Sequence, residues 1–570
     1  MKSIRNILVL LSLFVLTACG SKTERAEMTG QRSIERISMM SDMPESYKMI
    51  DWKKKALDFD RLVYDFNTEG EYWPLIWLDD SRKNLDQTTF GIYTAIGDIR
   101  QGENANGGMF HESLNSLGSL LGASLVGIDK SDQNGYNFVG MVQNYFNTDN
   151  GWNIIMNNTC PEVALLGGGY ARDWWYDVFP NVLFYGLADF YPEEGITNEI
   201  QLSIAEQFYK ADSVLNGNYD FSFFDYGNMK GEKNNICSQE DAAAGHAYVL
   251  YCAYKKFGDK RYLEGAISAL SAIENLSENR FYEILMPYGA YVAARLNAEH
   301  GTDFDPGIWI NWSFNPAVGR SGWGVLVGEW NGYDISGLVG SITDNDGYGF
   351  LMNTFDMALP LVPMVRYDPS FADAIGKWML HAANASRLMY ADEIPDEHQT
   401  LPDLKDITKG VIAYEAVIHH SNFAIAKEKQ APIAQGDGPN WIKDNPDPSQ
   451  FSVYGSGHVG IFGSIIEQTN VKGILRLDLL ATDFYRNDAF PSYLYYNPYD
   501  VVKNVELPEH QGSVYNMITK EFISDKPEFI SVPPKQSTVL VMIPEDGVKV
   551  IKDNILKIDS VTVDYHYHIR

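Results

Sequence analysis

Along most of this chain hydrophobic positions recur at steps of three and four, the spacing that lines one face of a helix. Asp51–Phe66 reads as an amphipathic first helix, followed by His111–Val126 and Asn198–Leu215. Pro161 opens a helix through Leu166, and Pro180 starts another over NVLFYGLADFY. The clearest pair is Gln239–Phe257, with Ala243, Ala247, Leu250, Tyr254 and Phe257 on one face, and Arg261–Leu276, with Leu263, Ala266, Ile267, Leu270 and Ile273. Gly258-Asp259 separates them, and Glu283–Glu299 makes a third helix. Further hairpins fall at Asp356–Tyr367 with Pro369–Met389, and at Gly410–Lys427. Thr88–Asp98 is apolar and fits helix or strand. After about Asn470 the period shortens: Gly473–Leu480, Ser492–Tyr496, Val501–Leu507, Ser537–Ile543, Val548–Ile551, Asn554–Ile558 and Val561–Ile569 are short, β-favouring runs. Helices first and strands last imply segregated elements.

The paired helices carry a resemblance. LYCAYKKFGDKRYLEGAISALSAI, Leu250–Ile273, resembles a hairpin of the six-hairpin (α/α) toroid glycosidases, whose paired helices join through Gly-Asp turns followed by Tyr-Leu. The resemblance implies a mainly α fold, an (α/α) toroid over 46–470 followed by a smaller β-sandwich-like domain over 471–570. It also implies a poly- or oligosaccharide substrate. No short strict repeat supports a helical solenoid instead.

Charge and the N-terminus narrow the setting. The 570 residues carry a net charge of −30, which disfavours nucleic acid and anionic membrane faces as partners. Lys2 and Arg5 precede an apolar run from Ile7 to Leu16, a secretory signal too short to span a bilayer. Leu16-Thr17-Ala18-Cys19 resembles a bacterial lipobox, which implies residues 1–19 as signal, lipid on Cys19, and contact with the membrane only through that lipid. The polar stretch 20–45 reads as a tether. Beyond Cys19, only Cys160, Cys237 and Cys252 remain, without CxxC spacing. They define no disulfide framework and no zinc site, and the sequence calls for no metal or cofactor.

The chemistry concentrates in aromatic segments with carboxylates. Ser321–Asp356 sets Trp323, Trp330, Tyr333 and Tyr348 among glycines, with Glu329, Asp334, Asp344 and Asp346. Aromatic faces suit the C–H surface of a sugar, and carboxylates suit its hydroxyls or acid/base work; a buried, turn-rich connection is the ordinary explanation. Inverting hydrolysis needs one acid and one base, here Glu329 as acid with Asp173 or Asp334 as base. Tyr170–Asp177 places Arg172, Asp173, Trp174 and Trp175 together after a triple glycine. His246 shares a helical face with Ala243 and Leu250, where a satisfied core histidine is the plainer reading. Glu240 and Asp241 precede that helix, where its dipole accounts for acids. Tyr288, Trp309, Trp312, Trp330, Tyr333 and His458 complete the candidates for sugar contact. Glu415 and His419 stand four apart but lack a third ligand for a metal.

Two other classes fit the same features. A polysaccharide lyase on this fold would draw on Tyr170, Arg172, His246 and Tyr288; the scarcity of clustered arginines disfavours it, with Arg172, Arg320 and Arg366 the ones near aromatic segments. A lipid-anchored glycan-binding surface protein of the Bacteroidota type needs tryptophans but no carboxylate pair.

Overall fold

The computed structural model describes residues 30–70, 73–92, 112–159, 173–320, 322–419, 432–435, 451–523 and 526–567. The longer helices are α1 (Trp52–Val63), α2 (Ser113–Leu125), α3 (Trp174–Phe190), α4 (Thr197–Leu215), α5 (Ala242–Phe257), α6 (Lys260–Glu274), α7 (Met286–His300), α8 (Pro306–Phe314), α9 (Leu351–Tyr367), α10 (Ala372–Ser386) and α11 (Gly460–Ile465). Their contacts close into a ring. α2 packs on α3, α3 on α5, α5 on α7, α7 on α9, α9 on α11, and α11 back on α2. Outside lie α1 against α11, α4 and α6 against α5, α8 against α7, and α10 against α9.

Sequence decides which helix is inner. From Ala242 to Ala253 every residue of α5 is buried, so this helix is walled on all sides. In α6, by contrast, Tyr262, Gly265, Ala266, Ala269, Leu270 and Ile273 are buried and a polar face remains. Gly258, at φ +72°, ends α5, and the Asp259 side chain caps α6 by accepting from the Arg261 N–H. Gly245 permits a close crossing: a Cβ there would lie 2.3 Å from Val178 of α3.

Several expectations are corrected. Pro180 does not start a helix but lies inside α3. Buried Trp174, Trp175, Val178 and Phe179 on the preceding turns outweigh the hydrogen bond it forfeits. Thr89–Ile92 is a strand paired with Ile76–Asp79. The glycine- and aromatic-rich stretch is more than a turn-rich connection into the helix at Leu351. It supplies β1 (Trp323–Val325), β2 (Val339–Ser341) and β3 (Tyr348–Phe350) of a five-stranded antiparallel sheet, with Val339 opposite both Val325 and Phe350. The segment read as a hairpin at Gly410–Lys427 instead supplies β4 (Ala416–Ile418), which pairs β3 and then β5 (Ile433–Gln435). Nor is 30–45 a tether. Ile34, Ile37 and Met40 are buried, the Arg36 guanidinium donates to Val325 O at 3.0 Å, and His381 bonds Ser41 O at 2.7 Å.

The C-terminal strands form a six-stranded antiparallel sheet in the order β6 (Ile466–Gln468), β7 (Leu475–Asp478), β8 (Ser492–Tyr496), β11 (Ser537–Met542), β9 (Val514–Asn516), β10 (Glu521–Ile523). Alternation divides each strand between two cores: Val539 and Val541 join the core of the helical ring, while Leu540 and Met542 join a second core with Val505, Ile530 and Val532. The link from β7 to β8 leaves the sheet and enters the ring. Thr482, Asp483, Phe484 and Tyr485 are buried there. Thr482 donates to Leu359 O, Tyr485 donates to Tyr185 O, and Asp483 accepts from Arg366, Tyr291 and Tyr367, all on inner helices. The carboxyl ends of these helices carry the negative end of the helix dipole, and Arg295, Arg366 and Lys255 gather at that end.

Candidate active site

The amino ends of the inner helices are bonded to one another. At the start of α3 the Trp175 N–H donates to Gln239 Oε1, just before α5, at 3.0 Å. Before α7, Tyr282 donates its hydroxyl hydrogen to Asp173 Oδ2 at 2.8 Å and its N–H to Asp241 Oδ2 at 3.0 Å. Asn353, in the first turn of α9, donates to Glu283 Oε2 at 2.9 Å and to the Glu283 carbonyl at 3.0 Å. The Trp323 indole N–H donates to that same carbonyl at 2.8 Å. Asp173, Asp241 and Glu283 thus stand one to three residues ahead of three adjacent inner helices.

Helix amino ends favour carboxylates, but burial wins here. It pushes Asp173 up to about 6, against the Tyr282 hydroxyl, Arg320 and the Trp175 indole. It pushes Asp241 up to about 8, with Glu240 and Glu283 adding to it and the Tyr282 N–H opposing. Glu283 rises to about 7, restrained by Arg320 and Asn353. Arg320 is committed to Glu283 at 2.6 Å and lies over the rings of Trp323 at 4.7 Å and Tyr282 at 5.1 Å. Glu240 is raised by burial and is 3.5 Å from Arg280. Cys237, half-buried beside these acids, has its thiol pushed by burial up to about 11, which keeps it protonated and un-nucleophilic. Among the described residues Asp173 Oδ1, Asp241 Oδ1 and Glu240 Oε2 have no hydrogen-bond partner, and the Trp175 indole N–H closes no bond. Groups with that pattern hold or move protons and accept from hydroxyls.

Of the residues singled out from sequence, the cluster contains Asp173, Trp175, Glu240, Asp241, Arg320 and Trp323. Glu329 lies elsewhere. It is exposed on a two-residue ladder with Asp334 and accepts from the Gly332 N–H of its own turn. Asp334 accepts from the Glu45 and Ser336 N–H groups and secures the N-terminal segment. Trp330 stacks on His419, and Tyr333 meets His398 edge-on. Trp309 is buried, and Trp312 is half-buried with its carbonyl accepting from Asn279.

The remaining candidates are core. Trp174 is sandwiched by Tyr219 and Phe224. His246 is wholly buried between Tyr226, at 2.8 Å from Nε2, and Tyr219, at 3.3 Å from Nδ1. Tyr219 already donates to Asp212, and Tyr226 already accepts from Trp174. Nδ1 therefore carries the hydrogen and Nε2 accepts, and burial lowers the ring to about 3. Tyr288 packs on Phe179 and Tyr248. His458 is buried against Asp356 at 2.8 Å and Leu114 O at 3.1 Å, and pins α2 to α9. Arg172, Tyr170, Cys160 and Cys19 lie outside the described residues, as does the helix expected at Pro161–Leu166.

Sequence reading passed over Tyr282 and Glu283 and explained Asp241 by the helix dipole. The signal available was positional and weak: Asp173, Asp241 and Glu283 stand just ahead of helices buried along most of their length, but Asp259 and Asp305 stand just ahead of outer helices too.

No protein-family model and no curated protein matches the chain. Among solved structures it is similar to a GH127 beta-L-arabinofuranosidase from Geobacillus stearothermophilus T6, at 11% identity and a TM-score of 0.34, covering 91% of this chain and 85% of that one. A second GH127 beta-arabinofuranosidase gives 11% and 0.34 over 92% and 85%. A glycoside hydrolase gives 9% and 0.35 over 82% and 78%. At that distance the chemistry rests on the chain's own residues.

Proposed function

We propose that the protein is a glycoside hydrolase of the (α/α) toroid kind that cleaves a poly- or oligosaccharide by inverting acid/base hydrolysis. One arrangement carries this reading: two buried carboxyl groups are joined through Tyr282, each with one oxygen bonded to it and the other without a partner among the described residues, and burial raises the proton affinity of both, of Asp241 more than of Asp173. Asp241 is the general acid, protonating the departing glycosidic oxygen. Asp173 is the general base, drawing a proton from the attacking water. The Oδ1 atoms, buried and without a partner among the described residues, are the positions this scheme assigns to the proton transfers. Glu283 with Arg320 supplies an anchored pair beside them, and Trp175, Tyr176 and Trp323 supply aromatic faces. Glu329 has no part in this scheme.

The test is a reducing-sugar assay over a panel of neutral and acidic glycans, wild type beside Asp173→Asn and Asp241→Asn, with NMR of the first-formed anomer. New reducing ends of inverted configuration, lost in both variants while folding is kept, support it. A product absorbing in the near ultraviolet points to a lyase. Glycan binding without product leaves a recognition protein.

We also propose that Cys19 carries lipid and holds the chain at the bacterial envelope. Metabolic labelling with a fatty-acid analogue, abolished by Cys19→Ala, tests this.

A further inference from the structure

We propose that Tyr282 is a positioning residue that clamps Asp173 and Asp241 into one acid–base unit. The inference rests on the acid/base reading above and concerns how that site is kept in working order. Tyr282 addresses both carboxyl groups at once, by different atoms: the hydroxyl to Asp173 Oδ2 at 2.8 Å and the main-chain N–H to Asp241 Oδ2 at 3.0 Å. In each case it occupies one oxygen and leaves the other, Oδ1, without a partner among the described residues. All three residues are buried, so no bulk water competes for these bonds.

The two bonds differ in kind. The amide is fixed by the backbone and holds Asp241 in place through either protonation state. The phenol is a side-chain donor that favours the anion of Asp173. Burial raises the phenol's own proton affinity, so it remains a donor throughout the working range. Asp173 is otherwise faced by Arg320, which is taken up by Glu283, by the Trp175 indole on its own helix, and by the acids and the thiol ahead of α5 and α7: Glu240, Asp241, Glu283 and Cys237. Tyr282 is the neutral group that closes a hydrogen bond on Asp173. The phenol therefore separates the roles of two similar aspartates.

The test is isotope-edited infrared titration of the full chain labelled with carboxyl-13C aspartate, Asp173→Asn identifying the band of Asp173. Tyr282→Phe keeps the ring and removes the donor. The midpoint of Asp173 is expected to rise by about one pH unit or more, the scale of a lost hydrogen bond to an ionised group. Replacing Tyr282 by 3-fluorotyrosine, a stronger donor of nearly the same size, is expected to lower it, which keeps the inference testable if the Phe variant folds poorly. A midpoint that stays put in both, or moves the same way in both, overturns the clamp. If the midpoints move as stated in a protein that cleaves no glycan, the hydrolase reading fails and the clamp stands; if glycan is cleaved and the midpoints do not move, the reverse holds.

Discussion

Tyr291 donates its hydroxyl hydrogen to Asp483 at 2.6 Å, joining an inner helix of the ring to a loop of the β-sheet domain. Asp483 also accepts from Tyr367 at 3.0 Å and from Arg366, while Arg295 donates to Phe484 O at 3.0 Å and Tyr485 O at 3.1 Å. The two parts of the chain therefore share one polar core. Asp483→Ala leaves the buried Arg366 without its carboxylate partner and is expected to destabilise the protein by about 3–5 kcal/mol. Calorimetry checks this, and the wild type is expected to unfold in a single transition rather than domain by domain.

Asp173→Asn is expected to lower kcat by about 10²–10⁴-fold, the usual contribution of a general base, with thermal stability equal to wild type or higher because a buried acid is removed. Glu329→Gln, at an exposed turn, is expected to leave kcat within about twofold and stability within the roughly ±0.5 kcal/mol typical of surface changes. Side-by-side kinetics and thermal melts decide between the two carboxylates.

Stability should depend on pH with a definite sign. Asp173, Glu283 and Asp241 hold protons to about 6, 7 and 8 in the fold, against about 4 in an unfolded chain. The folded state then binds more protons across that window, so stability is greatest below about pH 4 for these groups and falls as pH rises to 8. Glu299 acts in the opposite sense. Against the cost of burial, Arg295 and Lys255 draw it down to about 2, so its contribution is full above about pH 4.5 and is lost as pH falls through 2. Urea unfolding at pH 5 and pH 8 is expected to show the wild type weaker at pH 8, with Asp241→Asn removing much of the difference.

His246 bridges two tyrosines as a neutral ring. His246→Ala opens a cavity and leaves the Tyr226 hydroxyl hydrogen without its acceptor, an expected loss of about 3 kcal/mol or more. Chemical denaturation measures it. Activity per folded molecule is expected to be unchanged, which a catalytic histidine would not allow.

The helical half was legible because its periodicity is tied to burial: in α6 the periodic Ala266, Leu270 and Ile273 are the buried face. The Gly258-Asp259 turn likewise supplies the two caps its residues favour. What sequence concealed was non-local. Val339 becomes strand only because Val325 and Phe350 flank it, and glycine-rich runs carry little β signal of their own. The site was half legible for the same reason. Asp173 and Trp175 stood out by their neighbours in the chain, whereas Asp241, Tyr282 and Glu283 gain meaning from each other across helices. Clusters of Trp and Tyr near Glu329 drew attention to chemistry where they serve the packing of a hairpin.

The loop through Asp483 has a consequence for traffic. With Thr482–Tyr485 seated among the carboxyl ends of the inner helices, that end of the ring is filled by the protein's own chain. Under the proposed hydrolysis a glycan would have to reach and leave the acids from the amino ends, and could not be threaded through the ring.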